Sequence, residues 1–437
     1  MAGQHIHFPG AATAGLRNWA GNVKFRATGL LVPRSAGELQ ELVARTPRLR
    51  ALGTGHSFSP LADTDGALIS TAGLPARVEV NEQASTATVS SGLRYSDIAP
   101  RLQAAGRALH NLGSLPHISV GGAVATGTHG SGSANGSLAT AVAAIELVRA
   151  DGELVTVSRE NDPDQLDGLV VGLGAPGIVT ALTLDTVPAF EVRQYAYTGL
   201  RVDVAAEHFA EVVSAGYSVS LFSDVSGTDS GGTDFSQVWV KLTDGQQPPP
   251  PGWLGTRPAD RDLHPIRGMP SSASTPQLGL AGPSYERLPH FRPEYVPSVG
   301  EELQSEYLIA ITDAPAALAV VAALRADLAP VLRVWEVRTV AADELWLSPC
   351  YQRATAALHF TWVPELRAVL PVLALLEAAL RPFAPRPHWG KIFTLSPAEV
   401  AAGYPRLDDF RSLVAAYDPA GKFATPMLAE YLGRQRR

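Results

Sequence analysis

Arg50-Ala51-Leu52-Gly53-Thr54-Gly55-His56-Ser57-Phe58-Ser59-Pro60 is a short apolar run that ends in two glycines and then presents a histidine on a loop. Pro60 keeps that loop from continuing as a helix. Glycines let backbone N–H groups approach an anion closely, and a loop of such groups forms a concave nest without a lysine, so the stretch predicts a phosphate-bearing ligand. A phosphate nest needs no imidazole at its rim. His56 therefore has a further task, as general base, ligand contact or covalent attachment point.

Upstream, Ser35-Ala36-Gly37-Glu38 has the form of a capping box, which predicts a helix to about Arg45. A strand over 48–52 then delivers the glycine loop, and β-like runs follow at 67–70, 76–80 and 86–90. A helix is expected over 95–105, with Gly106 as its left-handed cap. The stretch 111–132 is rich in glycine, serine and threonine. It cannot build a core, but it can line a large flat ligand with N–H and hydroxyl groups, and Ile118-Ser119-Val120 and Ala123-Val124-Ala125 distinguish it from a linker. The Asp151-Gly152 turn between 145–150 and 153–157 reads as a β-hairpin.

Two motif matches fail on mechanism. Gly172-x-Gly174-x-x-Gly177 fits the dinucleotide fingerprint as a string, but the alternating β-branched residues of 178–184 predict a strand where a helix N-terminus would have to meet the pyrophosphate. Gly122-x-x-x-x-Gly127 has phosphate-loop spacing with Thr128 where the lysine belongs. The first region therefore reads as α+β.

From about Arg193 the texture changes to a second domain. Long β-like segments at 217–222 and 237–242 alternate with loops, including 227–234 and the stiff run Pro248-Pro249-Pro250-Pro251, and 279–299 reads as an ordered covering loop. Helical patterns at 315–326 and 365–380 alternate with strands at 331–340 and 356–362, which predicts a mixed sheet with helices on one face. On the strand Val334-Trp335-Glu336-Val337-Arg338-Thr339-Val340, Glu336 and Arg338 share a face, and His359 and Thr361 repeat the device. Two polar pairs on adjacent strands suggest a hydrophilic pocket floored by a sheet. In Arg386-Pro387-His388-Trp389-Gly390-Lys391 a histidine and a lysine bracket an aromatic and a glycine; such a lysine, desolvated or near Arg338, would drop in pKa as an alcohol-activating base needs.

With 437 residues, 46% hydrophobic and 18% charged, the chain has room for two globular domains. A net charge of −7 argues against nucleic acid or an anionic membrane as partner. The lone Cys350 excludes an intramolecular disulfide and a cysteine-rich metal site, which suits a cytoplasmic protein. Met1 to Pro9 lacks the basic and apolar regions of a signal peptide, and Arg367, Pro371 and Glu377 interrupt the apolar stretch 366–380, so it is expected to be a packed helix and not a membrane span.

The glycine-histidine loop, the 114–132 stretch and Gly174-Ala175-Pro176-Gly177-Ile178-Val179 together resemble the FAD-binding domain of the vanillyl-alcohol-oxidase-type flavoproteins. Glu336-x-Arg338 and His388-Trp389-Gly390-Lys391 are similar to motifs of the sugar-acting members, the alditol oxidases and aldonolactone oxidases. Asn18-Trp19-Ala20-Gly21-Asn22, Ser114-Leu115-Pro116-His117-Ile118-Ser119-Val120, Leu303-Gln304-Ser305-Glu306-Tyr307-Leu308 and Arg338-Thr339-Val340-Ala341-Ala342-Asp343 look most like bacterial alditol (xylitol or sorbitol) oxidases. Leu347-Ser348-Pro349-Cys350-Tyr351-Gln352-Arg353 is equally similar to gulonolactone oxidase.

The resemblance implies an α+β fold with an FAD-binding domain over 1–190, a substrate domain over 191–380 whose mixed or antiparallel sheet is covered by helices, and a segment 381–437 that returns to close the active site. It implies FAD bound covalently through His56. Ala51, Leu52, Gly53, Thr54, Gly55, Ser57, Ser114, Ser119, Gly122, Thr126, Gly127, Thr128 and His129 would hold the cofactor, and Ile178 its adenosine end through the backbone. Ser114, Glu336, Arg338, Thr361 and Lys391 would bind substrate. Glu336, Arg338 and Thr361 would fix hydroxyls, Lys391 with His359 would favour the alkoxide, and Arg338 or Lys391 could stabilise charge on reduced flavin. The implied reaction oxidises the terminal hydroxyl of xylitol, sorbitol or glycerol by hydride transfer to flavin N5 and reduces O2 to hydrogen peroxide, in a monomer without a metal. An aldonolactone oxidase or dehydrogenase is the alternative. Two positions depart from the family: Thr425, where relatives often carry asparagine, and Phe393, where aldonolactone oxidases tend to have histidine.

Overall fold

The computed structural model describes residues 15–224, 234–295 and 301–433. The first nine residues, nearly all of the 227–234 loop and the end of the 279–299 stretch lie outside them. Around the opening stretch the expected order holds. Helix Ala36–Arg45 starts where Ser35 Oγ accepts the Glu38 N–H, and the Glu38 carboxylate takes the N–H of Arg34, one residue earlier than a capping box would. Leu39, Leu42 and Val43 face the core, and strand Leu49–Ala51 follows. It joins a parallel three-stranded sheet with Ala67–Ile69 at the centre and Gly29–Leu31 beyond.

Arg50 pins this small sheet to the rest of the molecule. Its guanidinium is buried and donates to the carbonyls of Leu61, Leu173, Gly174 and Phe423, with no carboxylate among these partners. Arg50→Met would leave several buried carbonyls unpaired and is expected to lower stability by about 3 kcal/mol. A urea midpoint equal to that of the parent would show that the carbonyls find other partners.

A five-stranded antiparallel sheet runs in the order Val78–Asn81, Thr86–Ser90, Ile178–Asp185, Val142–Val148, Leu154–Ser158. Gly152, at φ 91°, makes the hairpin turn, and Gly106, at φ 71°, follows helix Tyr95–Ala104. Ile178 opens a strand, so the dinucleotide fingerprint has no helix to act through. Inside 111–132 the chain forms a short helix, Val120–Ala125, that the sequence reading leaves out. Two glycines in its first turn lower its propensity. Close approach explains Gly121, because a Cβ there would lie 2.9 Å from the Cβ of Ser91.

The second sheet has nine strands among the described residues, and every pairing in it is antiparallel, the second of the two expected forms, mixed or antiparallel. Its centre is Ser218–Ser223, Leu332–Val340, Thr355–Trp362 and Leu303–Ala310. Opposite residues in an antiparallel pair share a face. The register puts Glu306, His359, Glu336 and Phe222 in one row, with Gln304 and Thr361 in the next. On the other face the rings of Trp335, Phe360 and Trp362 stack at 6.1 and 5.5 Å. Both faces are buried, so the sheet is no solvated surface.

Candidate active site

The two halves meet at a cavity of about 330 Å³, within the range of ligand pockets. On one wall are Ala51 to Ser59, Ser119, Gly121, Gly122, Thr126, Thr128 and His129; on the other are Glu306, Glu336, Arg338, His359 and Thr361, with Lys391 at the edge. The 388–391 turn ties the walls together. Gly390 O accepts the Phe58 N–H at 2.7 Å, and the Ser59 hydroxyl donates to Trp389 O at 2.7 Å.

Two expected cofactor residues fall outside the lining. Gly127 turns the chain at φ 66° and faces Pro349, and Ile178 is fully buried in a core cluster with Leu39 and Val43. Gly177 and Val179 line the cavity beside Ile178 instead. Residues that sequence reasoning gave no role are also present: Gln304, Glu306, His290, His388 and Trp19. Gln304 and Glu306 alternate along Leu303–Ala310, a polar pair on one face like Glu336 and Arg338, and that alternation was the available signal.

On the sheet face the polar side chains form one network. Arg338 donates to Glu306 Oε1 at 2.6 Å, its Nε lies 3.5 Å from Glu336 Oε1, and its Nη1 reaches Ser114 Oγ at 3.4 Å. His290 Nε2 stands 2.8 Å from Glu336 Oε1, and His129 Nε2 stands 3.3 Å from Glu306 Oε1. Burial opposes charge on both glutamates, but Arg338 and the neighbouring imidazoles outweigh it, so both stay below the usual carboxylate range. In return the two carboxylates raise Arg338 despite its burial. Gln304 Oε1 accepts from Lys391 Nζ and lies 3.2 Å from His359 Nε2. That contact puts the His359 proton on Nε2 and leaves Nδ1, buried and without a hydrogen bond, as a lone pair 3.8 Å from Glu336 Oε2. Burial lowers Lys391 from its ordinary value, with Glu306 only partly opposing, and pushes His359 down to about 3.

Across the cavity, His56 stacks on Trp19 with ring centroids 5.3 Å apart, and its buried Nδ1 has no hydrogen-bond partner. Burial, with His117, Arg94 and Lys391 adding to it, pushes the ring down to about 3, so it is a neutral imidazole at neutral pH. Between Gly53 and Gly122 sits Ser119 Oγ, so close that a Cβ at Gly53 would lie 2.5 Å from it. Glycine loops that expose N–H groups, an apolar wall including Leu115 and Ile118, and an orphaned ring nitrogen suit a flavin dinucleotide.

The comparisons bear on both halves. An FAD binding domain model matches residues 27–158, and a D-arabinono-1,4-lactone oxidase model matches residues 301–432. The chain is 50% identical to alditol oxidase of a Streptomyces sp. (strain IKD472 / FERM P-14339), over 95% of this chain and 98% of that one. It belongs to the alditol oxidase family. Within the same FAD-linked group, L-gulono-1,4-lactone dehydrogenase of Mycobacterium tuberculosis (strain ATCC 25618 / H37Rv) is 28% identical over 95% of the chain. Mouse (Mus musculus) L-gulonolactone oxidase is 26% identical over 94%. The fold is that of cholesterol oxidase from B. sterolicum, with a TM-score of 0.75 over 95% of this chain and 96% of that one at 16% identity.

Each of the two departures has a local place in the structure. Thr425 is the N-cap of helix Pro426–Leu432, its Oγ1 accepting the Leu428 N–H at 3.1 Å, a task threonine and asparagine share. Phe393 packs against Tyr431 at 5.3 Å outside the cavity lining, so it does not discriminate alditol from lactone by contact.

Proposed function

We propose that this protein is an FAD-dependent alditol oxidase acting on the terminal hydroxyl of polyols such as xylitol, sorbitol and glycerol. The observation that carries this reading is the buried row Glu306, His359 and Glu336, flanked by Arg338 and Thr361, in the same cavity as the His56 loop. Such a row offers a donor or acceptor to successive hydroxyls of an extended chain. FAD, when bound, supplies the hydride acceptor at N5 and delivers the electrons to O2 as hydrogen peroxide.

Glu336, Arg338, Thr361 and Ser114 bind and orient the hydroxyls, and Lys391, with its lowered pKa, takes the alcohol proton at Nζ, with His359 Nδ1 as the alternative acceptor of that one proton. Ala51 to Ser57, with Ser119, Gly122, Thr126, Thr128 and His129, hold the dinucleotide, and His56 is its covalent attachment point. We place the domain limits at 190 and 380. The five-stranded sheet ends at Asp185, the nine-stranded sheet begins at Glu191, and the last segment returns through Lys422 O, which accepts the Leu49 N–H at 3.1 Å. The lone, buried Cys350 fits a reducing cytoplasm. No helix among the described residues is long and apolar enough to cross a membrane.

The D-arabinono-1,4-lactone oxidase match to 301–432 favours a second reading, a lactone oxidase. Incubating aerated protein with xylitol, sorbitol, glycerol and L-gulono-1,4-lactone separates the two. Peroxide release with the polyols and not the lactone is expected. Release with the lactone alone would replace the first reading by the second, and a colourless protein would refute both.

A further inference from the structure

Lys241 lies on the apolar strand Gln237–Leu242, on the same sheet face as Glu336, and is only 1% exposed. Its Nζ donates to the carbonyl of Leu288 and reaches the Pro289 carbonyl at 3.3 Å and His290 Nδ1 at 3.3 Å. All three positions accept, which matches the three donors of an ammonium. The His290 ring is boxed by Phe222 and Trp239, edge to face at 5.5 and 5.2 Å, and its other nitrogen meets Glu336 Oε1 at 2.8 Å.

We infer that Lys241 and His290 form a positioning pair for Glu336: the lysine donates to Nδ1, this fixes the ring proton on Nε2, and that N–H holds one carboxylate oxygen so that the other faces the substrate. The proton count leaves little choice. Glu336 is ionised, so a nitrogen 2.8 Å from its oxygen must carry a proton. The Nζ to Nδ1 contact then holds one proton, shared between a lysine that burial lowers to about 7 and an imidazole that burial, with Lys241 adding to it, lowers to about 4. It stays on the lysine. With Oε1 engaged by His290 and close to Arg338 Nε, Oε2 is the acceptor left for a hydroxyl.

The inference rests on Glu336 binding substrate as proposed above, and its test has a part that does not. In holoenzyme labelled with 15N-histidine, the resonances that disappear in His290→Gln should report a protonated Nε2 and an unprotonated, hydrogen-bonded Nδ1. A proton on Nδ1, or on both nitrogens, would overturn the pair. In kinetics with xylitol, Lys241→Met and His290→Leu should raise KM about tenfold with a smaller effect on kcat, the size of one hydrogen bond to a charged group. His290→Gln, whose amide can occupy the place of Nε2–H, should recover part of that loss. An unchanged KM in Lys241→Met also overturns the inference. If that variant does not fold, the 15N spectra of the parent and His290→Gln decide alone. A protein that turned over no polyol would refute the function while leaving the tautomer result standing.

Discussion

Acid precipitation of the parent protein should carry the flavin into the pellet, whereas His56→Ala should leave it in the supernatant. The expectation comes from the local chemistry of one ring. His56 is held against Trp19, its Nδ1 is buried with no partner, and burial keeps it unprotonated down to about pH 3. A buried polar atom without a partner costs about 1–3 kcal/mol, so a molecule that tolerates one at a cavity wall has a use for it. A C–N bond to the flavin would both satisfy that atom and hold the cofactor against dilution. His56→Ala should therefore also lose flavin on repeated gel filtration, since only contacts remain. Flavin free in the acid supernatant of the parent would refute the attachment, and the neutral ring would then be a contact to the cofactor.

Local rules make much of this fold legible in the sequence. The Ser35 cap, the Asp151-Gly152 turn and the Gly106 stop act within a few residues, and the elements they bound are where they were expected. The helix Val120–Ala125 was hidden because one of its glycines, Gly121, serves a close contact with Ser91, from a different part of the chain. Pairing direction in the second sheet was left open between mixed and antiparallel for a similar reason: helices alternate with its strands along the chain, and only long-range register shows that the neighbours within that sheet run antiparallel.

The site divides in the same way. Glu336 and Arg338, or His359 and Thr361, announce themselves as polar pairs two apart on a strand. Glu306 completes the row only through its register opposite His359, and Lys241 reads as an ordinary strand lysine until the sheet is seen to be buried on both faces. At Ile178 the side chain belongs to the core while Gly177 and Val179 on either side line the cavity, an arrangement that leaves only its backbone for a ligand, as the expected backbone contact requires.

The second large effect is expected at Lys391. Its Nζ lies over the Phe58 ring at 5.1 Å and donates to Gln304, which His359 also approaches, so it sits at the junction of the flavin loop and the polar row. A lysine can take a proton only when neutral, and burial moves that condition toward neutral pH by lowering its pKa. The rate of flavin reduction by xylitol should therefore rise with pH through the Lys391 pKa and level off above it. Lys391→Met removes the base while keeping the length of the side chain. It should slow flavin reduction by about 10² to 10⁴, the usual contribution of a positioned general base, and abolish the rising limb. Anaerobic stopped-flow reduction across pH reads both. A Lys391→Met protein with an ordinary rate and an intact limb would move the base to His359, whose unbonded Nδ1 already faces Glu336 Oε2. His359 is lowered to about 3, so the limb would then lie far more acidic than a lysine can account for, and the position of the limb alone separates the two bases.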